Sequence, residues 1–184
     1  KYKDLNDDGK IDDLDKMAVG YSQQVPEYNF GLNMILMWKG FDLTMTFSGV
    51  KNTSRNLPGY FREAFGGQNR GLFAYHYEDR WTPDNADNAL FPRLLMVSSD
   101  NNYRDSDMWI RDASYFRLKN AEIGYTIHSG TLKRAGLNNV RVFINGYNLL
   151  TFSDFGFFDP ETRPGEGGLY PMIKMYNMGL KFNF

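Results

Sequence analysis

From Tyr176 the chain runs Tyr176, Asn177, Met178, Gly179, Leu180, Lys181, Phe182, Asn183, Phe184, with an apolar side chain at every second position. Successive strand side chains point to opposite faces, so one face of this run is wholly apolar and the other carries Asn177, Lys181 and Asn183. The segment 28–38 repeats the pattern. Tyr28, Phe30, Leu32, Met34, Leu36 and Trp38 share one face against Asn29, Gly31 and Asn33, with the polarity weakening at Ile35 and Met37. A two-residue turn, Lys39-Gly40, leads into Phe41, Leu43, Met45 and Phe47 on one side and Asp42, Thr44, Thr46 and Ser48 on the other, which predicts a hairpin. Each arm has the roughly 9–11 residues that a tilted strand needs to cross a bilayer. Aromatic residues stand near the arm ends, where an interfacial girdle would place them.

Composition excludes several classes. The chain has 184 residues, a mean hydropathy of -0.53, and no apolar run longer than 34–38, far short of a membrane helix. A net charge of -1 leaves no basic face for nucleic acid. The absence of cysteine removes disulfides, zinc ribbons and thiol catalysis together. Aromatic residues make up 16% of the chain, rich for a soluble domain and natural for a girdled barrel. The sequence opens within a polar loop without a signal peptide, so a fragment of a longer polypeptide is expected.

Three further strands complete the pattern. In 112–127, Phe116 and Leu118 share one parity while Ala121, Ile123, Tyr125 and Ile127 share the other. One extra residue near Lys119-Asn120, a β-bulge, would restore a single face. Val140, Val142, Ile144 and Gly146 alternate with Arg141, Phe143, Asn145 and Tyr147 in 139–152, and the last strand is expected over 172–184. The expected organisation is therefore a polar loop 1–27, a transmembrane hairpin 28–50, a long loop 51–111, two strands in 112–152, a Gly/Pro-rich loop 153–171 and a final strand 172–184. A short helix is expected near 62–65, after Pro58-Gly59, and a helical turn over 132–135. Five strands cannot close a barrel, since the smallest single-chain outer-membrane barrels have about eight. Short turns face the periplasm in such barrels, so Lys39-Gly40, the 128–138 connection and Phe184 are expected there, with the long loops outside.

The sharpest chemical motif is the run from Asp4 to Asp15, DLNDDGKIDDLD. It matches a calcium loop with oxygen ligands at positions 1, 3 and 5, glycine at 6, a backbone carbonyl at 7 and an acid at 12. Asp4, Asn6, Asp8 and Asp15 are the expected side-chain ligands, with Lys10 offering its carbonyl and Asp12 acting through water. The shorter Asp15 stands where such loops usually carry glutamate, and the expected role is structural.

Catalysis finds little support, and no enzyme is expected. His76 and His128 lie in different connections and belong to no His-x-x-x-His or Gly-x-Ser-x-Gly pattern. Glu78 and Asp79 adjoin Arg80, but neighbouring residues of an extended chain point apart. Gly66-Gly67 and the glycines of 165–168 precede no convincing helix, which a phosphate loop requires.

Taken together, KYKDLNDDGKIDDLDKMAVG, PEYNFGLNMILMWKGFDLTMTFSG, RWTPDNADNALFPRL, SDMWIRDASYFRLKNAEIGYTI, LNNVRVFINGYNLLTFSDFGFFDPE and YNMGLKFNF resemble the C-terminal part of the SusC/RagA family. These are TonB-dependent outer-membrane transporters of Bacteroidetes. The resemblance covers nearly the whole chain. It implies an all-β fold, the last five antiparallel strands of a 22-stranded transmembrane β-barrel, the size class whose lumen holds a plug. It further implies a missing N-terminal barrel and plug portion, a SusD-like surface lipoprotein, a TonB complex acting through the plug, and energised import of a glycan or peptide substrate. Aromatic residues of the outer loops would then meet substrate, because rings stack on sugar faces and side chains. Tyr60, Phe73, Tyr75, Tyr77, Trp81 and Trp109 are the candidates. The alternative from another class is a secreted, soluble, calcium-dependent glycan-binding β-sandwich, in which the apolar faces would meet in a core instead of lipid.

Overall fold

The computed structural model describes residues 2–65, 71–95, 100–134, 136–162 and 172–184. Seven strands lie within them: β1 (Tyr28–Trp38), β2 (Phe41–Lys51), β3 (Ser54–Asn56), β4 (Ile110–Asp112), β5 (Tyr115–Ile127), β6 (Asn139–Phe152) and β7 (Met175–Asn183). The five long strands form one antiparallel sheet in the order β1-β2-β5-β6-β7, and β3 pairs with β4 in a small second sheet. The hairpin turn has left-handed backbone at both central residues, Lys39 (φ 46) and Gly40 (φ 89), the geometry that matches strand twist.

Four boundaries differ from the sequence-based expectation. The stretch expected as one strand over 112–127 breaks at Ala113-Ser114, because 110–112 leaves the large sheet to pair with β3. The short helix, α1, sits at Gly59–Arg62, directly after Pro58, whose ring fixes a helix-entry φ, and not at 62–65. Residues 172–174 precede β7 instead of belonging to it. The turn expected at 132–135 is a helix over Gly130–Arg134, and Ala135 falls outside the described residues. The two glycine-rich stretches at 66–67 and 165–168 also lie outside them.

Register assigns every side chain to a face. Phe41, Leu43 and Met45 oppose Tyr125, Ile123 and Ala121, then pairing slips so that Phe47 opposes Leu118. Lys119 is the extra residue, so the bulge stands where the change of parity requires it. Across β5 and β6 the same point falls between Leu118↔Leu150 and Asn120↔Tyr147, with Asn148 taking a positive φ of 53. Between its aromatic ends, one face consequently carries only apolar side chains and glycine in rows across five strands. One row, for instance, is Leu36, Leu43, Ile123, Ile144 and Met178. Met178 and Ile144 are 79% and 52% exposed, and no second layer covers this face among the described residues. The β3–β4 pair, three residues per strand, is far too small to form the other half of a sandwich. Trp38, Phe41 and Tyr125 bound the face at the turn end, and Phe30, Phe47, Phe116 and Phe152 at the loop end. Tyr125 to Phe116 spans about 30 Å along the strand, or about 23 Å once a barrel-like tilt is allowed.

The opposite face is largely polar and cross-linked, with Ile35, Met37, Phe143 and Tyr147 among its apolar members. Arg141 donates from Nε to Asp42 (3.0 Å) and from Nη2 to both Asp42 and Glu122, the latter at 2.8 Å. Asn145 donates to Glu122 at 3.0 Å and Asn177 to Asn145 at 2.9 Å, so one network ties β2, β5, β6 and β7. Glycine makes this packing possible. A Cβ at Gly124 would fall on the Arg141 guanidinium, and one at Gly179 would fall on the Phe143 ring.

The buried core lies off the large sheet, among the loops. Leu57, Phe61, Phe91, Trp109, Ala113 and Phe155 are buried together, with Tyr60, Tyr75, Tyr103, Phe157 and Phe158 packed around them. Arg55 and Arg62 staple this assembly. Arg55 donates to the carbonyls of Gln23 (2.6 Å) and Thr162 (3.1 Å), while Arg62 reaches Asn56 (2.6 Å) and Asp105 (2.8 Å).

Deleting Lys119 removes the bulge and turns one half of β5 onto the wrong face. The expected outcome is loss of the folded sheet, read as disappearance of the heat-modifiable band that a folded, strand-rich protein gives on gels. Replacing Lys119 with Ala keeps the backbone count and the band.

Candidate functional site

The loop end divides the aromatic candidates into two groups. Helix α2 (Ala74–Glu78) carries three of the relevant side chains. Tyr75 points into the aromatic core, its ring 5.1 Å from Phe91 and its hydroxyl 3.5 Å from the Phe61 carbonyl, and burial pushes its phenol pKa well up. Trp109 is fully buried, with Arg62 over its ring at 5.7 Å. Both rings hold the loops together, Trp109 fully buried and Tyr75 partly so. Tyr60 also packs against the core. Tyr77, Trp81 and Phe73 instead stand exposed, at 56%, 44% and 47%. Arg80 lies over the Tyr77 ring at 3.9 Å, leaving the other ring face free to stack. Trp81 is anchored through its backbone, which donates to the Phe91 carbonyl at 2.8 Å.

His76, on the same helix, is only 2% exposed, and its two ring nitrogens are both satisfied. Nδ1 accepts from the Phe73 N–H (3.2 Å), so Nε2 carries the proton and donates to the Phe61 carbonyl at 2.8 Å. Burial holds its pKa below the ordinary value of 6.5, against the smaller opposing effect of the Phe61 bond. The neutral ring is thus a structural tie between α2 and the helix at 59–62, and not a base facing solvent. His128 stands apart, at the turn end after β5.

Sequence reasoning missed Arg117. It is fully buried, and its Nη2 donates to both oxygens of Asp159 (2.8 and 2.7 Å) while Nη1 donates to Glu161 at 3.1 Å. Lys119, at the bulge, donates to the same Glu161 at 2.9 Å. This cluster pins segment 153–162 to the sheet. Its only trace in the sequence is a polar Arg in a strand and two acids more than 40 residues away, a pairing that no local pattern reports.

The acidic loop is curled by left-handed backbone at Asp7 (φ 61) and Gly9 (φ 80). Asp4 Oδ2 accepts from the Gly9 N–H (2.7 Å), Asn6 from Asp8 (3.1 Å) and Asp8 from Lys10 (2.8 Å). The Asp15 carboxylate spans the loop, accepting from Asp12 and Leu5 at 2.8 and 2.7 Å, and these bonds hold its pKa below the usual carboxylate range. Asp4 Oδ1 is buried without a hydrogen-bond partner. Asp12 is occupied in capping the turn at 13–15, where it accepts from Leu14 at 2.8 Å. No group of three or more His, Cys, Asp or Glu side chains among the described residues is gathered to hold a metal ion. The loop therefore has calcium-loop curvature and one orphaned oxygen, without a converged set of carboxylates.

Two outcomes follow from these contacts. Because His76 has its pKa lowered on folding, the unfolded loop binds more protons than the folded one as pH falls below 6.5, so stability is intact above that value and lost beneath it. Backbone hydrogen exchange across 71–91 of the full-length protein is expected to accelerate between pH 7.5 and pH 5 beyond the intrinsic rate change, and the step should vanish in a His76→Gln variant. Arg117→Met strands Asp159 and leaves Glu161 with Lys119 alone, at a cost of about 3–5 kcal/mol. Limited proteolysis of the full-length protein should then cut first within 153–162.

The fold is shared with known proteins. No family model matches the chain. It is 29% identical over its full length to the TonB-dependent receptor P3 of Formosa agariphila and 32% identical, over 97% of its length, to receptor P26 of the same organism. It is 25% identical over its full length to the TonB-dependent receptor SusC of Bacteroides thetaiotaomicron. Among solved structures, the RagAB peptide importer in its open-open state matches 89% of the chain with a TM-score of 0.65 and 25% identity, covering 18% of that chain. The closed-closed state matches 96% with a TM-score of 0.70 and 22% identity, covering 20% of that chain. This chain spans 19%, 18% and 17% of the three receptors it matches. Matches running from end to end, on a sheet whose register the same alternation dictates, place the chain in the SusC/RagA family of TonB-dependent receptors.

Proposed function

We propose that this chain forms the C-terminal wall and outer loops of a TonB-dependent outer-membrane transporter, supplying the last five strands of a 22-stranded barrel. The observation that carries the reading is the uncovered, wholly apolar face of the large sheet, bounded by aromatic rows about 23 Å apart and backed by a polar face. Such a face is stable only against lipid or another apolar surface. Strands β1 and β7 each have one free edge among the described residues, and a longer polypeptide would pair with both to close the wall. The Lys39-Gly40 turn then faces the periplasm, and the loop core faces outward.

The cargo is a bulky nutrient, a peptide or a glycan oligomer, taken up with a SusD-like lipoprotein and released by TonB acting on the plug. Support comes from the likeness to RagAB, described as a peptide importer, and from the exposed rings of Tyr77, Trp81 and Phe73. The relatives are receptors and importers, and no enzymatic role is proposed.

The loop 4–15 takes a structural calcium ion in this reading. Asp4, Asn6, Asp8 and Asp15 would hold it with the Lys10 carbonyl, and Asp12 would act through water. The orphaned Asp4 oxygen and the positive φ of Gly9 support the fit, and small carboxylate rotations would have to complete the site. An Asp4→Asn/Asp8→Ala receptor is expected to lose calcium-dependent thermal stabilisation, measured by melting the full-length protein with calcium and with chelator.

The direct test is native mass spectrometry of the detergent-extracted material with peptide mapping. One longer polypeptide should contain these residues together with further strands and a plug. A chain that runs alone, folded and free of detergent, would overturn the reading. At single-residue level, Met45→Arg on the apolar face should cost about 2–4 kcal/mol of barrel stability in membranes. Thr44→Lys, on the polar face opposite Glu122, should leave the urea midpoint nearly unchanged.

A further inference from the structure

Beyond the ring row at the loop end, the apolar face runs into a polar groove. Phe47 and Phe116 stack in parallel with centroids 5.3 Å apart, and Phe116 continues to Phe30 and Phe152 at 6.1 and 6.4 Å. Strand alternation places Lys51 on this same outward side, paired across the ladder with Tyr28. A groove of about 360 Å³ opens there, with Phe30 and Phe152 on its apolar side and Lys51, Asp112, Ser114 and Asp154 on its polar side. Its polar side is fixed in place. Asp112 Oδ1 accepts from the Ser114 N–H and hydroxyl (2.8 and 2.6 Å), and the Ser153 hydroxyl donates to the Ser114 carbonyl at 2.8 Å. Lys51 takes part in none of the ion pairs among the described residues, and Asp112 and Asp154 are exposed.

We infer that this groove seats the headgroup of a membrane lipid that carries both a phosphate and a primary amine, with its acyl chains lying down the phenylalanine row. The inference rests on the proposed reading of the sheet as a lipid-facing wall. Continuity with that wall supplies the apolar half of the site, and charge supplies the specificity. One ammonium and two carboxylates line the groove, so a purely anionic headgroup meets net repulsion. A headgroup that is itself zwitterionic places its phosphate on Lys51 and its amine between Asp112 and Asp154. A primary amine donates N–H bonds to those carboxylates, which a quaternary ammonium lacks. The free Asp112 Oδ2 and the Asp154 carboxylate are the acceptors.

The experiment uses the full-length receptor, delipidated in detergent and offered phosphatidylethanolamine, phosphatidylcholine and phosphatidylglycerol of identical acyl chains. Retained lipid is counted by native mass spectrometry. Phosphatidylethanolamine is expected to be retained about tenfold over either competitor, the scale of a charge-assisted hydrogen bond. Lys51→Ala/Asp154→Asn should abolish that preference while the heat-modifiable band persists, and Lys51→Arg should keep it. Equal retention of the three lipids, or an unchanged preference in the double variant, overturns the inference. Displacement by soluble glycerophosphoethanolamine overturns the part assigned to the phenylalanine row. A receptor that stays folded and soluble with no lipid or detergent would instead sink the wall reading beneath it.

Discussion

Everything in this molecule depends on strand register. A two-residue side-chain period means that a slip of one position exchanges the apolar and polar faces, and here no second layer hides the error. The bulge at Lys119 absorbs a change of parity that the sequence carries openly, and the neighbouring irregularity at Asn148 transmits the correction to the next strand. With register fixed, Asp42, Glu122 and Arg141 meet from three strands, and glycines at 124 and 179 leave room for Arg141 and Phe143 to lie flat on the wall. The polar network is thus a consequence of register as well as a lock upon it.

Stability is divided between two kinds of apolar contact. The sheet holds its large side chains outward, whereas the packed core is assembled by loops around Phe61, Phe91 and Trp109. Aromatic side chains bury much area with few rotatable bonds, so irregular backbone can be fixed by them at modest entropic cost. Three arginines finish the work that backbone pairing does elsewhere. Arg55, Arg62 and Arg117 each answer carbonyls or carboxylates from distant segments, satisfying loop backbone that has no ladder of its own.

The long strands were legible in the sequence because alternation is local: the hairpin, the bulge, and strands β6 and β7 all follow from side-chain parity. The loop end was not. Tyr75, Tyr77, Trp81 and Trp109 look alike in a sequence, and only tertiary packing turns Tyr75 and Trp109 inward while leaving Tyr77 and Trp81 open. The break at Ala113 was hidden for the same reason, since β4 pairs with three residues more than 50 positions earlier. The acidic loop lies between these cases. Its curvature was legible from Asp and Gly spacing, whereas the direction in which Asp12 spends its carboxylate depends on a capping contact.

The reach of Arg55 bears on the order in which the molecule is built. One guanidinium joins the carbonyl of Gln23 to that of Thr162, and the Tyr2 hydroxyl bonds to the Asn101 carbonyl. Contacts between such distant positions carry a large loop-closure entropy before they return any energy. The adjacent strands can zip by neighbour-to-neighbour pairing, but the lattice of loops has to wait for the segment that follows β6. Pairing of the first four long strands can therefore precede closure of the loop lattice, and a polypeptide stalled between the two would hold a part-formed sheet beside loose loops.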